Sequence, residues 1–410
     1  MGITADRVVS RRAVLAGAAA GAAVAGLGQA RAAGAHSEPG LVALRRDIHR
    51  HPELAGAERR TAGIVARRLR AAGLAVTEGV GGHGVVGVLA GAHRGRTVAY
   101  RADMDAVPPD EQFGGEATQP AHVCGHDLHT TIGVGVAEAL ARRRRRLAGT
   151  VVFVFQPAEE SLGGAAAMLA DDVFARARPA EIHALHCGPF PVGQFHVMPG
   201  YGLPGQDRGT VTLTGPDAQA RAVLLARRIA ALGTVTTPET TEALERLVAD
   251  LQVPGGPLAE FVFIGARPAG AEVRFTYRCW PEQRYVSVRA DIERLARESG
   301  PATVTVPPAP FPAMICPEPE GEMLQRYLRR ALGPAAVGRL HAAVPFSGED
   351  FALFLRRMPG TYTFLGVRRP GAAIESAYPH FTTFDPDERA IGHGVRAMTG
   401  WLLTRTGSGR

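Results

Sequence analysis

Apolar residues recur at helical spacing over residues 57–72, where Ile64, Val65 and Leu69 share one face and Gly73 stops the run. A similar pattern over 41–50 predicts a helix before it. Short apolar runs then predict strands at 85–90 and 97–101, the second ending in Ala102-Asp-Met-Asp105. A helix is expected over 130–140. The strongly apolar strand 150–155 stops at Gln156-Pro-Ala-Glu-Glu160, and a strand over 181–186 ends in His186-Cys187. This alternation predicts an α/β fold with a doubly wound, mostly parallel sheet. The polar residues at three successive strand ends fall where open α/β sheets bind their ligands.

From about residue 205 the pattern changes. A half-buried strand at 210–214, helices at 218–232 and 240–251, strands at 260–264 and 272–277 and a helix at 281–298 predict an inserted α+β module spanning 205–305. The proline-rich stretch 306–312 closes it. The first pattern then resumes with a helix at 320–332, a strand at 361–365 and a closing helix after Glu388. A discontinuous domain, 36–204 with 306–405, is therefore expected around the insertion, as suits 410 residues that exceed one ordinary core.

Composition narrows the chemistry. Apolar content of 46% with 21% charged residues is globular, and no lysine or asparagine occurs anywhere. Phosphate-binding-loop, Schiff-base and Ser-Lys mechanisms are thereby excluded, as is N-glycosylation. Arg7, Ser10, Arg11 and Arg12 precede an Ala/Gly-rich apolar stretch, and Ala30-Arg-Ala32 offers a small-x-small cleavage site. Residues 1–32 thus resemble a twin-arginine-type export signal, which predicts a periplasmic or secreted protein. The stretch is short and poor in large apolar residues, so no stable membrane insertion is expected after its removal. Its loss takes away four arginines and Asp6, leaving +4 of the +7 net charge. That weak basic bias, with 6% aromatics, predicts no nucleic-acid partner. Cys124, Cys187, Cys279 and Cys316 are widely spaced and show no disulfide framework; a Cys187–Cys279 or Cys279–Cys316 bridge stays open.

The densest chemistry lies in His122-Val-Cys-Gly-His-Asp-Leu-His129. A thiol at Cys124 and an imidazole at His126 are joined through Gly125, whose missing Cβ lets both face one point, as metal ligands on a loop do. Glu159 and Glu160 are adjacent on the loop after a strand, so their side chains diverge. One can bind metal while the other faces substrate, the division that metal-assisted hydrolysis requires.

With these motifs the chain resembles the M20 metallopeptidases, in particular the amidohydrolase branch that includes hippurate hydrolases and hydrolases of auxin–amino acid conjugates. The resemblance runs from Arg46 to about Gly400 and rests also on Asp47-Ile-His-Arg-His-Pro-Glu53, Tyr100-Arg-Ala-Asp-Met-Asp-Ala-Val-Pro108, Phe155-Gln-Pro-Ala-Glu-Glu160, Ala184-Leu-His-Cys187, Gly348-Glu-Asp-Phe351 and His380-x-x-x-Phe-Asp-x-Asp-Glu388. It implies a zinc-exopeptidase-like catalytic domain and a ferredoxin-like lid that also dimerises. It further implies a site for two divalent metal ions, zinc first and manganese second, held by Cys124, His126, Glu160, His186 and His380. Glu159 would be the general base acting on a metal-activated water, and Asp105 a carboxylate that orients the ligands. Asp103 stands where other branches place a histidine ligand and is left out of the set.

The lid departs from the family. Its histidine, which the family uses across the dimer on the oxyanion, is missing, because no histidine occurs between His196 and His341. Gly215-Pro-Asp-Ala-Gln-Ala-Arg221 replaces the expected segment, and Arg278 is left as the substrate or oxyanion contact. The expected activity is hydrolysis of an amide bond in N-acyl amino acids, amino-acid conjugates or small peptides. Two alternatives stand beside it: an exported metal-binding protein or pseudoenzyme with weak or no turnover because the lid histidine is absent, and a metal hydrolase of a different amide such as a lactam or carbamate.

Overall fold

A computed structural model describes residues 39–407, so the export segment expected over 1–32 lies outside the described residues. Helices α1 (Pro39–His49) and α2 (Arg59–Ala71) precede strands β1 (Ala75–Val80), β2 (Gly84–Ala90) and β3 (His93–Asp103). Then come α3 (His126–Ala141), β4 (Ala148–Gln156), α4 (Gly164–Ala170), β5 (Ile182–Pro191) and β6 (Phe195–Val197). Two short strands, β7 (Gly202–Leu203) and β12 (Met314–Ile315), carry the chain to and from the insertion. The insertion itself holds β8 (Asp207–Leu213), α5 (Ala218–Ala230), α6 (Thr241–Asp250), β9 (Phe261–Ala269), β10 (Glu272–Trp280), α7 (Tyr285–Glu298) and β11 (Ala302–Thr305). After β12 (Met314–Ile315), the chain closes with α8 (Glu318–Leu332), β13 (Val337–Arg339), α9 (Ala352–Leu355), β14 (Gly360–Arg368) and α10 (Arg389–Gly407).

Eight strands form one sheet in the order β1-β2-β4-β3-β5-β14-β6-β13. The central run β4-β3-β5-β14 is parallel, and β1, β2 and β6 join antiparallel. Side chains along β4 alternate between two cores: Val151, Phe153 and Phe155 pack with α1, α2, α3, α8 and α10, while Val152 and Val154 pack with α4 and α9. A strand buried on both faces reads as a continuous apolar run, as 150–155 does, because helices cover each side. The hairpin strand β1 escapes the hydrophobic pattern because most of its residues are exposed or half-buried at the sheet edge.

The insertion forms a separate four-stranded antiparallel sheet, ordered β11-β8-β10-β9. With α5 and α7 it has the β-α-β-β-α-β order of a ferredoxin-like module and its own core around Val211, Leu225, Ile292 and Tyr277. Helix α6 departs from that plan. Its Leu244, Leu247 and Val248 belong to the same cluster as Phe354 and Ile374 of the large unit, so it packs outside the module's own core. No helix among the described residues is long and apolar enough to cross a membrane. The bridges left open by spacing do not form, since all four cysteines are free and buried.

Candidate metal centre

The parallel strands converge their C-terminal ends on one place. Helix α3 begins at His126, four residues earlier than its apolar pattern suggests, and its start is set by Gly125 at φ +87°. A Cβ on Gly125 would lie 2.2 Å from Cys187 Sγ, so both the left-handed backbone and the close approach demand glycine. Gly125→Ala is therefore expected to destabilise the fold by about 1–3 kcal/mol. Thermal unfolding checks this, and metal stoichiometry should fall with it because Cys124 and His126 flank the position.

All five proposed ligands meet here. Cys124 Sγ lies 3.5 Å from His186 Nε2 and groups with Glu160 and His380 within 4.8 Å. His126 Nε2 faces Glu160 Oε1 at 3.6 Å, and His380 Nε2 faces Glu160 Oε2 at 3.4 Å. Each histidine is oriented by its other nitrogen. His186 Nδ1 donates to the Cys187 carbonyl (2.7 Å), His380 Nδ1 to the Glu111 carbonyl (3.1 Å), and His126 Nδ1 to Asp105 Oδ1 (3.3 Å). A carbonyl only accepts, so Nδ1 carries the proton and the Nε2 lone pair is left facing inward, as in histidine–metal sites. Asp105 also accepts the Glu160 N–H through Oδ2 (2.9 Å), so one carboxylate aligns two of the five donors.

Electrostatics favour a cation. Burial alone would lower His126, yet Asp103, Asp105 and Glu160 raise it to about 10, so these acids favour a positive charge at that point, which a divalent ion on the Nε2 lone pair would supply in place of a second proton. Burial pushes the Cys124 thiol well up, with Glu160 and other acids adding to it; a divalent ion reverses that logic by favouring the thiolate. Burial holds His186 neutral, as a ligand must be, with His129 adding to the effect. His126 Nε2 and Glu160 Oε1 are buried without hydrogen-bond partners. Soft sulfur, three imidazole nitrogens and a carboxylate, with two buried ligand atoms unsatisfied, fit divalent metal.

The two adjacent glutamates are pushed apart. Burial would raise Glu160, but His380 and His126 outweigh it and hold its carboxyl at about 2. Glu159 is raised well above the ordinary range by burial, then by the charges of Glu349 and Glu160. Its Oε2 lies 3.8 Å from His126 Nε2. Carboxyl groups separated in this way divide into a permanent anion and a proton carrier.

Several site residues had no role assigned from sequence. His129 donates from Nδ1 to Asp103 Oδ1 (2.6 Å) and accepts the Cys187 N–H at Nε2 (2.8 Å), so both nitrogens are engaged. The other oxygen of Asp103 accepts from Arg101 Nη1 (2.5 Å) and lies 3.8 Å from His126 Nε2, so Asp103, left out of the expected ligand set, also stands in a group of potential donors with His126, His129 and His186. Arg101 is 1% exposed and also reaches Glu349 Oε1 (3.0 Å), Asp350 Oδ1 (3.3 Å) and Gln156 Oε1 (2.9 Å). It ties β3, β4 and the 348–351 motif together behind the metal centre. His183 faces away from the centre, against Trp401 and Thr361, as period-two alternation from His186 requires.

Arg278 ends up over the site. Its strand partner in register is Phe263, whose ring meets Phe346 edge-on at 4.9 Å. Its guanidinium packs on Gly348, where a Cβ would lie 2.3 Å from Nη1. Nη1 is buried and has no hydrogen-bond partner. Burial lowers Arg278 to about 10 against the pull of Glu159 and Glu111, the two acids that act on it.

Residues 99–404 match the profile described as Peptidase family M20/M25/M40. A protein of Synechocystis sp. described as a probable hydrolase is 31% identical over 88% of this chain and 94% of its own length. An N-acetyldiaminopimelate deacetylase from Bacillus pumilus is 28% identical over 90% and 98%, and an N-acetylcysteine deacetylase from Bacillus subtilis is 29% identical over 86% and 93%. Among solved structures, the YXEP protein of Bacillus subtilis, described as a dinuclear metal-binding peptidase from the M20 family, matches with a TM-score of 0.67 at 25% identity. The match covers 90% of this chain and 98% of that one.

Proposed function

The chain belongs to peptidase family M20/M25/M40, a metal-dependent hydrolase family, and from that premise we propose that it cleaves the amide bond of N-acyl amino acids, releasing a carboxylic acid and a free amino acid. The relatives named as deacetylases of acylated amino acids support this substrate class. The observation that carries it is Arg278: a buried cation without a partner on Nη1, set by the inserted module beside Glu159. A substrate α-carboxylate would satisfy it, which a simple acyl amine could not.

Cys124, His126, Glu160, His186 and His380 would hold two divalent ions, with zinc best suited to the donors and manganese next. The chemistry such ions supply is Lewis acidity, which polarises the amide carbonyl and acidifies water. Glu159 Oε2 takes the proton of the attacking water and returns it to the amide nitrogen as the C–N bond breaks, so acid and amine leave with atoms balanced. Arg278 orients the carboxylate half of the substrate, and Asp105 keeps His126 and Glu160 in place.

A panel of N-acyl amino acids assayed with metal-loaded protein tests this. Turnover is expected for acylated amino acids and should fall steeply for acyl amines lacking the carboxylate. Arg278→Ala should raise KM for the former by about tenfold to a hundredfold, the cost of one charged hydrogen-bond partner. If metal-loaded protein hydrolyses no N-acyl amino acid, the chain is a metal-binding protein without this activity. If Arg278→Ala leaves KM unchanged, the carboxylate contact is wrong.

A further inference from the structure

The loop that carries Glu159 is tightly folded. Ala158 and Leu162 both have φ +55°, a left-handed backbone that alanine and leucine adopt only under constraint. Inside the loop the Leu162 N–H reaches the Glu159 carbonyl (2.7 Å), and the N–H groups of Gly163 and Gly164 reach the Ala158 carbonyl (3.2 and 3.0 Å). These bonds close the loop on itself but do not anchor it to the rest of the site.

Two carboxylates from other segments provide the anchor. Asp105 accepts the N–H of Glu160, as described above. On the other side of Glu159, Glu58 Oε1 accepts the N–H of Ala158 at 2.8 Å, together with that of Gly56 at 2.9 Å. Glu58 stands at the start of α2, a hundred residues away in sequence, and is fully buried. A buried carboxylate is costly unless its bonds compensate, and here both go to backbone donors, one of them next to Glu159. Its second oxygen, Oε2, is buried with no partner. No other contact in the α2 segment needs a charge-bearing side chain at this position, because the N–H groups of Arg60 and Thr61 are taken by Glu53 instead.

We infer that Glu58 is a positioning residue for Glu159: with Asp105 it grips the peptide on both sides of the base, fixing the backbone while leaving the Glu159 side chain free to carry a proton. This rests on the reading of Glu159 as general base. The reacting carboxylate must lie within hydrogen-bond reach of the water it deprotonates, so a small drift of its backbone is paid in kcat. Substrate binding by Arg278 and four of the five metal donors involve other segments; the fifth donor, Glu160, shares the loop but has its own anchor in Asp105.

The test compares Glu58→Ala and Glu58→Gln with wild type on the same N-acyl amino acid, with metal content measured on each. Glu58→Ala removes the acceptor, and kcat is expected to fall about tenfold to a hundredfold. KM should stay within about twofold and the metal equivalents should be unchanged. Glu58→Gln keeps a carbonyl oxygen for the Ala158 N–H and should restore kcat to within about threefold of wild type. Unchanged kcat in Glu58→Ala overturns the inference, as does a loss that follows metal loss or that Glu58→Gln fails to restore. Should Glu58→Ala not fold, Glu58→Gln decides alone: a kcat loss beyond threefold overturns the positioning role, and near-wild-type kcat supports it. Glu159→Gln separates the two readings, because a fully active Glu159→Gln protein removes the base itself, whereas an inactive one with a fully active Glu58→Ala protein removes only the role of Glu58.

Discussion

Glu159→Gln is expected to lower kcat by about 10²–10⁴-fold, the usual contribution of a positioned general base. The amide preserves the volume and the outline of the carboxylate but has no basic oxygen to take a proton. Glu159 is only 5% exposed, and burial together with Glu349 and Glu160 already favours its neutral form, so a neutral amide is well accommodated there. Thermal stability should therefore hold or rise while turnover collapses, a combination that misfolding cannot produce. Metal content should stay at the wild-type value because Glu160, not Glu159, lies between His126 and His380. Steady-state kinetics on metal-loaded protein, with a melting curve for each variant, decides the matter. Turnover within threefold of wild type would show that another group accepts the proton.

Arg101→Met should have the largest effect on stability, about 3–5 kcal/mol, the cost of breaking a buried ion pair from one side. Methionine fills much of the space of the arginine stem, so packing against Phe351, over whose ring the guanidinium sits at 5.9 Å, changes less than charge. What remains is three acids, Asp103, Glu349 and Asp350, facing one another in a dry interior without their cation. Burial already pushes Asp350 up to about 7 even with Arg101 present. Without the cation the Asp350 carboxyl holds its proton more tightly still in the folded than in the unfolded chain. Groups with a raised folded pKa stabilise below their unfolded value and lose that contribution as pH rises. The deficit relative to wild type should thus shrink toward pH 5 and grow above neutrality. Denaturant unfolding of both proteins at several pH values reads this directly, and a deficit independent of pH would mean that the loss comes from packing.

Helix and strand positions followed from local pattern because burial on one or both faces imposes its period on the residues. The run 150–155 and the face of Ile64, Val65 and Leu69 are examples. Helix α6 was visible as a helix, yet nothing in its own periodicity says which core receives it; Leu244 and Leu247 look the same whether they pack inside the module or on the large unit. Cys124 and His126 stood out by flanking a glycine, and Glu160 and His186 by following strands, whereas His380 and the set of five came from the resemblance to the family. Arg101 and Glu58 did not stand out, since a lone arginine in a strand and a lone glutamate before a helix ordinarily face solvent.

Cys124, Gly125 and His126 therefore marked a candidate metal-ligand triplet in the sequence, one that drew its weight from the motifs around it. Only the folded chain decided how the donors are aimed and what supports them. The hydrogen bonds from His186 to the carbonyl of Cys187, its chain neighbour, and from His380 to Glu111, 269 residues away, select the lone pairs that face inward, and the second forms only when distant segments pack. The same holds for the two carboxylates that grip the loop of Glu159, one from 55 and one from 100 residues away. Chemical type is carried by single residues, but protonation and direction are set by neighbours in space, so the first is written in the chain and the second arises on folding.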